Sequence, residues 1–161
     1  MFQLYELNKA EFAPRETVSQ YKNIEIVSIK DKVYCGTCKE RLWAIYWFLI
    51  TLGKAKIYLI RNEDGEVIHS SYVIHKCMKF PFMGKRDVEI GPCFTFPAYR
   101  GQGLYPYVLT EIIRNESQQQ GKVFMIVDGK NVASVHGVKK VGFAPVAQIK
   151  KDWMKRYVVV K

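Results

Sequence analysis

The sequence predicts an α/β fold with a mixed sheet and flanking helices, on three observations. An apolar strand, Glu89 to Phe96, runs through a turn holding Gly101 and Gly103 into a helical pattern. There Leu104, Val108, Leu109, Ile112 and Ile113 fall at spacings that share one face. Upstream, Lys56 to Arg61 and Glu66 to His75 read as two strands around Asn62-Glu63-Asp64-Gly65, a good hairpin turn. Downstream, the apolar run from Lys122 to Val127 opens a further alternation of strand with helix.

Taken in order, Ile24 to Ile29 alternates and reads as the first strand. Asp31 to Glu40 is a turn region leading to a helix from Arg41 to about Leu52. This helix is apolar nearly all round, so it should be buried or lie in an interface, which leaves a homodimer open. After the hairpin, Lys79 to Arg86 carries Pro81 and Gly84 and reads as a loop. The next strand, Asp87 to Phe96, is interrupted by Gly91-Pro92. Proline cannot donate to a ladder, so a bulge or a local splay is expected. A helix from Gly103 to Gln119 comes next, with Pro106 in the first turn, where a missing N–H costs nothing. The strand Lys122 to Val127, a helix Asn131 to Val141, and strands near Phe143 to Ile149 and Trp153 to Val159 complete the order. Asn131 caps its helix and Gly142 ends it.

Bulk properties narrow the class. A chain of 161 residues suggests one domain, 1–161, with an ample core. Hydrophobic content of 48% and aromatic content of 14% exclude a disordered chain. Met1 to Lys9 has no basic segment followed by an apolar one, so it does not read as a signal peptide. The longest apolar run, Leu42 to Leu52, is short of the about 20 residues a membrane span takes. A soluble cytoplasmic protein is expected. The formal charge of +10 attracts anionic ligands. The basic residues are scattered in pairs without a nucleic-acid motif, so solvated faces account for them better than nucleic-acid binding. Cys35-Gly36-Thr37-Cys38 is open to a redox or zinc reading, but zinc needs a second pair, and Cys77 and Cys93 are sixteen apart. Otherwise these are ordinary thiols in a reducing compartment.

The turn carries the chemistry. Successive N–H groups at a glycine turn entering a helix point outward, and the helix dipole adds partial positive charge. With Arg100 beside it, the turn reads as a cradle for a phosphate or pyrophosphate. A P-loop needs Lys-Ser or Lys-Thr after the last glycine, and Leu104-Tyr105 stands there. A dinucleotide fingerprint needs a third glycine where Pro106 stands, although Asp128 imitates its ribose-binding acid. The third pattern is Arg-x-x-Gly-x-Gly/Ala. Arg100-Gly101-Gln102-Gly103-Leu104, preceded by Pro97, resembles this pyrophosphate-binding motif of the GNAT acyltransferase superfamily, with Tyr105 at the last small position. Asn131-Val132-Ala133-Ser134 followed by Gly142-Phe143 is similar to a second segment of that superfamily, at matching spacing.

The resemblance covers about Asp87 to Ile149. It implies a mixed, mostly antiparallel central sheet with a splayed strand pair, and a GNAT-like N-acetyltransferase that takes acetyl-CoA as its acyl donor. Coenzyme A would be held by Cys93, Thr95, Arg100, Gly101, Gln102, Gly103, Leu104, Tyr105, Asn131 and Ser134, with Asn131 bonding the pantetheine arm. Where strands part, free N–H and C=O groups pair an extended pantetheine as a strand would, and one N–H is a candidate oxyanion donor. The partner is a primary amine, on a small molecule or a peptide; no metal is called for. Glu89 is the candidate base, its competing reading being an outward-facing charge on an edge. The position that often holds a thiolate-protonating tyrosine, seven residues after Asn131, is Val138. Trp43, Tyr46 and Trp47 are either core or the wall of the acceptor pocket. His136, about 140° round its helix from Asn131, reads as a surface residue facing elsewhere, and His69 and His75 read as structural. A non-catalytic acyl-CoA-binding domain remains the alternative.

Overall fold

The computed structural model describes residues 2–8, 12, 23–31, 38–116 and 121–160. Cys35 lies outside them, and with it the reading of the Cys-x-x-Cys pair. The last residues of the expected Gly103–Gln119 helix lie outside them as well.

Among the described residues, eight strands form one sheet. They are β1 (Phe2–Leu7), β2 (Ile24–Ser28), β3 (Lys56–Arg61), β4 (Val67–His75), β5 (Val88–Thr95), β6 (Val123–Asp128), β7 (Phe143–Lys151) and β8 (Tyr157–Val159), in the spatial order β2-β3-β4-β5-β6-β1-β7-β8. Three longer helices flank them: α1 (Cys38–Thr51), α2 (Leu104–Glu116) and α3 (Val132–Lys140). Every neighbouring pair is antiparallel except β5 and β6, which run parallel. The mixed, mostly antiparallel sheet is therefore present. One parallel contact does not make the parallel sheet that a dinucleotide fold needs, which removes that reading.

Two departures stand out. Ile24–Ser28 is not the first strand: β1 precedes it and sits inside the sheet between β6 and β7, with Phe2 opposite both Asp128 and Ile149. The expected strand from Trp153 begins at Tyr157, because Asp152 folds a turn. Its carboxylate accepts from Arg156 N at 2.9 Å and Arg156 Nε at 2.8 Å.

The sheet separates two cores. Beneath α2 and α3 lie Leu104, Val108, Leu109, Ile112, Ile113 and Val138 with Ile90, Val73 and Tyr5. Beneath α1 lie Ala44 and Trp47 with Tyr72, Ile74, Phe80 and Phe124. Helix α1 is not buried throughout, as its composition suggested. Among its described side chains, only Ala44, Trp47 and Thr51 form a buried stripe, at helical spacing, while Leu42, Trp43, Ile45, Tyr46 and Leu49 are exposed. No helix among the described residues is long and apolar enough to cross a membrane.

The hairpin forms as read. Asn62 Oδ1 accepts from Glu66 N at 2.8 Å, and Gly65 takes a positive φ of 81°. It also steadies the segment after β5, since Asn62 Nδ2 donates to Tyr99 Oη at 3.2 Å.

Candidate active site

The splay lies between β5 and β6. Their ladder holds for two residue pairs, Val88 with Val123 and Glu89 with Phe124, and then the strands part. On the other side of β5, register slips between Ser71 and Val73: Ser71 faces Cys93 and Val73 faces Ile90, so three residue steps of β5 oppose two of β4. The extra residue falls at the interruption the sequence marks, Gly91-Pro92, joined by a cis peptide. The bulge inverts the alternation of the strand. Ile90 and Cys93 pack on the α2 side, whereas Glu89, opposite Ile74 and Phe124, belongs to the α1 side.

Beyond the split a groove of about 790 Å³ opens. Cys93 and Thr95 line its β5 wall, and Arg100, Gly101, Gly103, Leu104 and Tyr105 form its mouth. Asn131 and Ser134 close it from α3. Gln102 stands apart, its Nε2 turned back to Ala98 O at 3.3 Å. Gly101 and Gly103 have φ of 78° and 76°, a region that favours glycine, and a Cβ at either would meet nothing within 4 Å. These glycines thus serve the backbone conformation and leave open space. Pro106 has no N–H and Tyr107 N bonds Gly103 O at 3.1 Å, so the Leu104 and Tyr105 amides are the first-turn donors of α2 that have no carbonyl one turn back within the helix. Arg100 folds against the end of β5, its Nε donating to Thr95 O at 3.0 Å and its guanidinium 5.9 Å from the Phe94 ring centroid. Asn131 caps α3, its Oδ1 accepting from Ser134 N at 3.1 Å.

The β4–β5 wall carries a buried polar chain that sequence reading passed over as structural. His69 Nδ1 is 2.7 Å from Thr95 Oγ1 and its Nε2 is 2.9 Å from Ser71 Oγ. Ser71 in turn bonds the Cys93 thiol. Burial lowers the His69 pKa to about 4, so the ring is neutral, and burial pushes the Cys93 thiol up to about 12. A thiol held that high is not a nucleophile near neutral pH.

Tyr105 occupies the place that a bare backbone was expected to fill. Its ring lies over α3 at Gly137, where an added Cβ would sit 2.6 Å from Tyr105 Cδ1. Burial raises its phenol pKa, and the fields of Cys93 and Glu89 raise it further. Val138, the expected tyrosine position, is fully buried in the core and does not line the groove. A tyrosine ring is nonetheless at the split, carried by α2. His136 is exposed as expected, yet it does not face elsewhere: it stands on the rim of the groove.

Glu89 is not an outward charge. It is 4% exposed, and its Oε2 has no hydrogen-bond partner among the described residues. Burial holds its carboxyl well above the ordinary glutamate range, partly opposed by the Lys79 cation. Gly91 makes room for it, since a Cβ there would stand 2.8 Å from Glu89 Oε1. Of the three aromatics offered as pocket or core, Trp47 is core at 3% exposure, while Trp43 and Tyr46 are on the surface.

No protein-family model matches the sequence, and no curated protein does. Solved structures do match. A GNAT-family acetyltransferase from Colwellia psychrerythraea superposes with a TM-score of 0.66 at 15% identity, over 90% of this chain and 52% of that one. An IAA acetyltransferase from Bacillus cereus gives 0.58 at 16%, over 81% of each chain. The glucosamine N-acetyltransferase region of a fungal multi-domain β-N-acetylglucosaminidase gives 0.60 at 13%, over 90% of this chain and 20% of that one. The chain thus spans about half the length of the first of these. With its split strands, its glycine turn and these neighbours, the chain has the fold of the GNAT acetyltransferases.

Proposed function

We propose that the chain is an acetyl-CoA-dependent N-acyltransferase that moves an acyl group from the thioester to a primary amine by direct attack in a ternary complex. The observation that carries this reading is the parting of β5 and β6. It joins a glycine-turn cradle on one side of the sheet to a buried carboxylate on the other, one of whose oxygens has no partner among the described residues. The pyrophosphate sits on the open turn at Gly101 and Gly103, and the pantetheine amides pair with backbone groups that β6 leaves free along β5, near Cys93 and Thr95. Asn131 and Ser134 bound the arm from α3.

The chemistry needs three proton movements. A free alkylammonium has a pKa near about 10.4, so it must give up a proton before it can attack. The Glu89 carboxylate accepts it, and the burial that raises its pKa makes it the stronger base once ionised. The amine nitrogen then bonds the thioester carbonyl carbon while a freed β5 N–H supports the oxyanion. As the C–S bond breaks, its electron pair goes to sulfur and the second nitrogen proton leaves to water. Tyr105 donates to that sulfur. The burial that pushes Cys93 up to about 12 acts equally on a departing thiolate there, which makes even a weakened phenol a suitable donor. Glu89 then returns its proton, through water, to the Tyr105 tyrosinate, which resets both groups, and the products are an acetylated amine and the free thiol, with one proton released. The protonated Cys93 fits transfer without a covalent enzyme intermediate.

Thiol release from acetyl-CoA across a library of primary amines, with the acetylated product weighed by mass spectrometry, tests the reading. Binding of acetyl-CoA without turnover across the library would make the chain an acyl-CoA-binding domain instead. Failure of calorimetry to detect coenzyme A binding would remove both.

A further inference from the structure

On the α1 side of the split, three aromatic rings surround a cation. Lys79 Nζ lies 4.7 Å from the Trp47 ring centroid, 4.9 Å from that of Tyr46 and 5.8 Å from that of Tyr157. It also donates to Tyr46 Oη at 2.8 Å. The Trp47 ring, the Tyr46 hydroxyl and the more distant Tyr157 ring, which Lys151 Nζ also approaches at 5.2 Å, together make a cation box of the kind that selects ammonium groups. The box is continuous with the reacting centre. Trp47 packs at 6.3 Å on Tyr72, which stands opposite the β5 bulge, and Lys79 is the cation whose field reaches the Glu89 carboxyl. Glu89 Oε2 and Trp47 Nε1 are the two buried polar side-chain atoms without a partner among the described residues, and both belong to this face. A finished structural lysine would bond the orphaned carboxylate directly; Lys79 bonds Tyr46 instead.

Resting on the acyltransferase reading, we propose that this cage is the acceptor subsite, that it receives an unbranched primary alkylammonium, and that Lys79 occupies it as an internal stand-in that an acceptor must displace. The lysine stem is itself an unbranched chain of four methylenes ending in an ammonium. Its ammonium end, set among Tyr46, Trp47 and Tyr157, is the shape the cage already admits. The Trp47 and Tyr157 rings and the Tyr46 hydroxyl recognise the positive charge, and the Glu89 carboxylate takes the proton that makes the nitrogen a nucleophile. A ring-borne amine, as on a sugar, is too wide to take the same path.

Lys79→Ala empties the cage without loosening its wall, because the main-chain bond from Tyr157 N to Lys79 O, at 2.9 Å, does not depend on the side chain. The experiment is calorimetric titration of n-pentylamine, with tert-pentylamine as the branched control, into the wild type, Lys79→Ala and Tyr46→Ala, each saturated with coenzyme A. Coenzyme A affinity is measured separately in all three. The expected result is n-pentylamine bound about tenfold more tightly by Lys79→Ala and about tenfold more weakly by Tyr46→Ala, little binding of the branched amine, and one coenzyme A affinity throughout. In turnover, Lys79→Ala lowers KM for n-pentylamine. Equal amine affinity in the three proteins, or no preference for the unbranched amine, overturns the cage while intact coenzyme A binding leaves the function standing. Coenzyme A binding lost in the wild type removes the function, and amine titration of the free protein still decides the cage by the same comparison.

Discussion

The two faces of the sheet solve the problem of buried polar groups differently. Under α2, the wall of the groove is complete in itself: Thr95, His69, Ser71 and Cys93 bond one another in sequence. Under α1, Glu89 Oε2 and Trp47 Nε1 are buried with nothing to bond among the described residues. An unmet buried polar group costs about 1–3 kcal/mol. Such groups persist where chemistry uses them, whereas satisfied groups hold a shape. In the proposed function, the finished face takes the cofactor and the unfinished one takes the proton of the amine.

Glu89→Gln breaks the contrast most severely. Turnover should fall about 10²- to 10⁴-fold, the range of a lost general base. Melting temperature at neutral pH should rise, by roughly 2–4 °C for each kcal/mol recovered. Activity and stability moving in opposite directions is the signature; a variant that loses both, measured by thiol release and thermal melts, would make Glu89 a structural residue. The wild-type rate should climb with pH as the carboxyl ionises, and the variant should lose that climb.

Gly103→Glu comes next and addresses only the finished face. A side chain at a φ of 76° is strained, and its charge opposes the pyrophosphate. Coenzyme A affinity by calorimetry should fall about 100-fold, while the melting curve moves by only a few degrees. Unchanged affinity would remove the cradle.

Tyr105→Phe should lower kcat by about tenfold with coenzyme A affinity preserved, since it removes one donor to the leaving sulfur. Gly137→Val should do the same by displacing the ring. Loss of binding instead of rate in either protein would show a packing role.

The smallest effect is on stability against pH, and there the faces have opposite signs. The depressed pKa of His69 gives stability that is present above its ordinary 6.5 and is lost as pH falls through about 4. The raised pKa of Glu89 gives stability that is present below its ordinary 4.5 and is lost as pH rises through its folded value. Melting temperatures from pH 4 to 8 should therefore flatten on the alkaline side in Glu89→Gln and on the acid side in His69→Gln.

Legibility in the sequence was local. The strand, glycine turn and helix around Gly101, the Asn131 cap and the Asn62 hairpin are each specified by residues a few positions apart, and each forms as read. The rest depends on distant partners. Strand β1 carries no clean alternation, and its place is set by neighbours more than a hundred residues away, such as Asp128 and Ile149. Tyr105 looked like a departure from a motif because the space for its ring is supplied by Gly137 on another helix. His69 looked inert because its partners, Thr95 and Ser71, become visible only when strands are paired. The box around Lys79 draws on α1, a turn and β8 together, and no periodicity announces it.

The irregular step at Gly91-Pro92 has a consequence for how this scaffold can change. A regular strand deals its side chains alternately left and right, so Glu89 and Cys93 would stand on the same side of the wall. The inserted residue works as a phase inverter, letting one short stretch of chain furnish both rooms. Deleting a single position there would restore an even ladder, with Ile90 still opposite Val73 and Cys93 still opposite Ser71, and would leave the thiol and Thr95 on the wall they hold. Pulling the step straight at full length would instead slide the pairing by one and exchange inside for outside for every side chain beyond it.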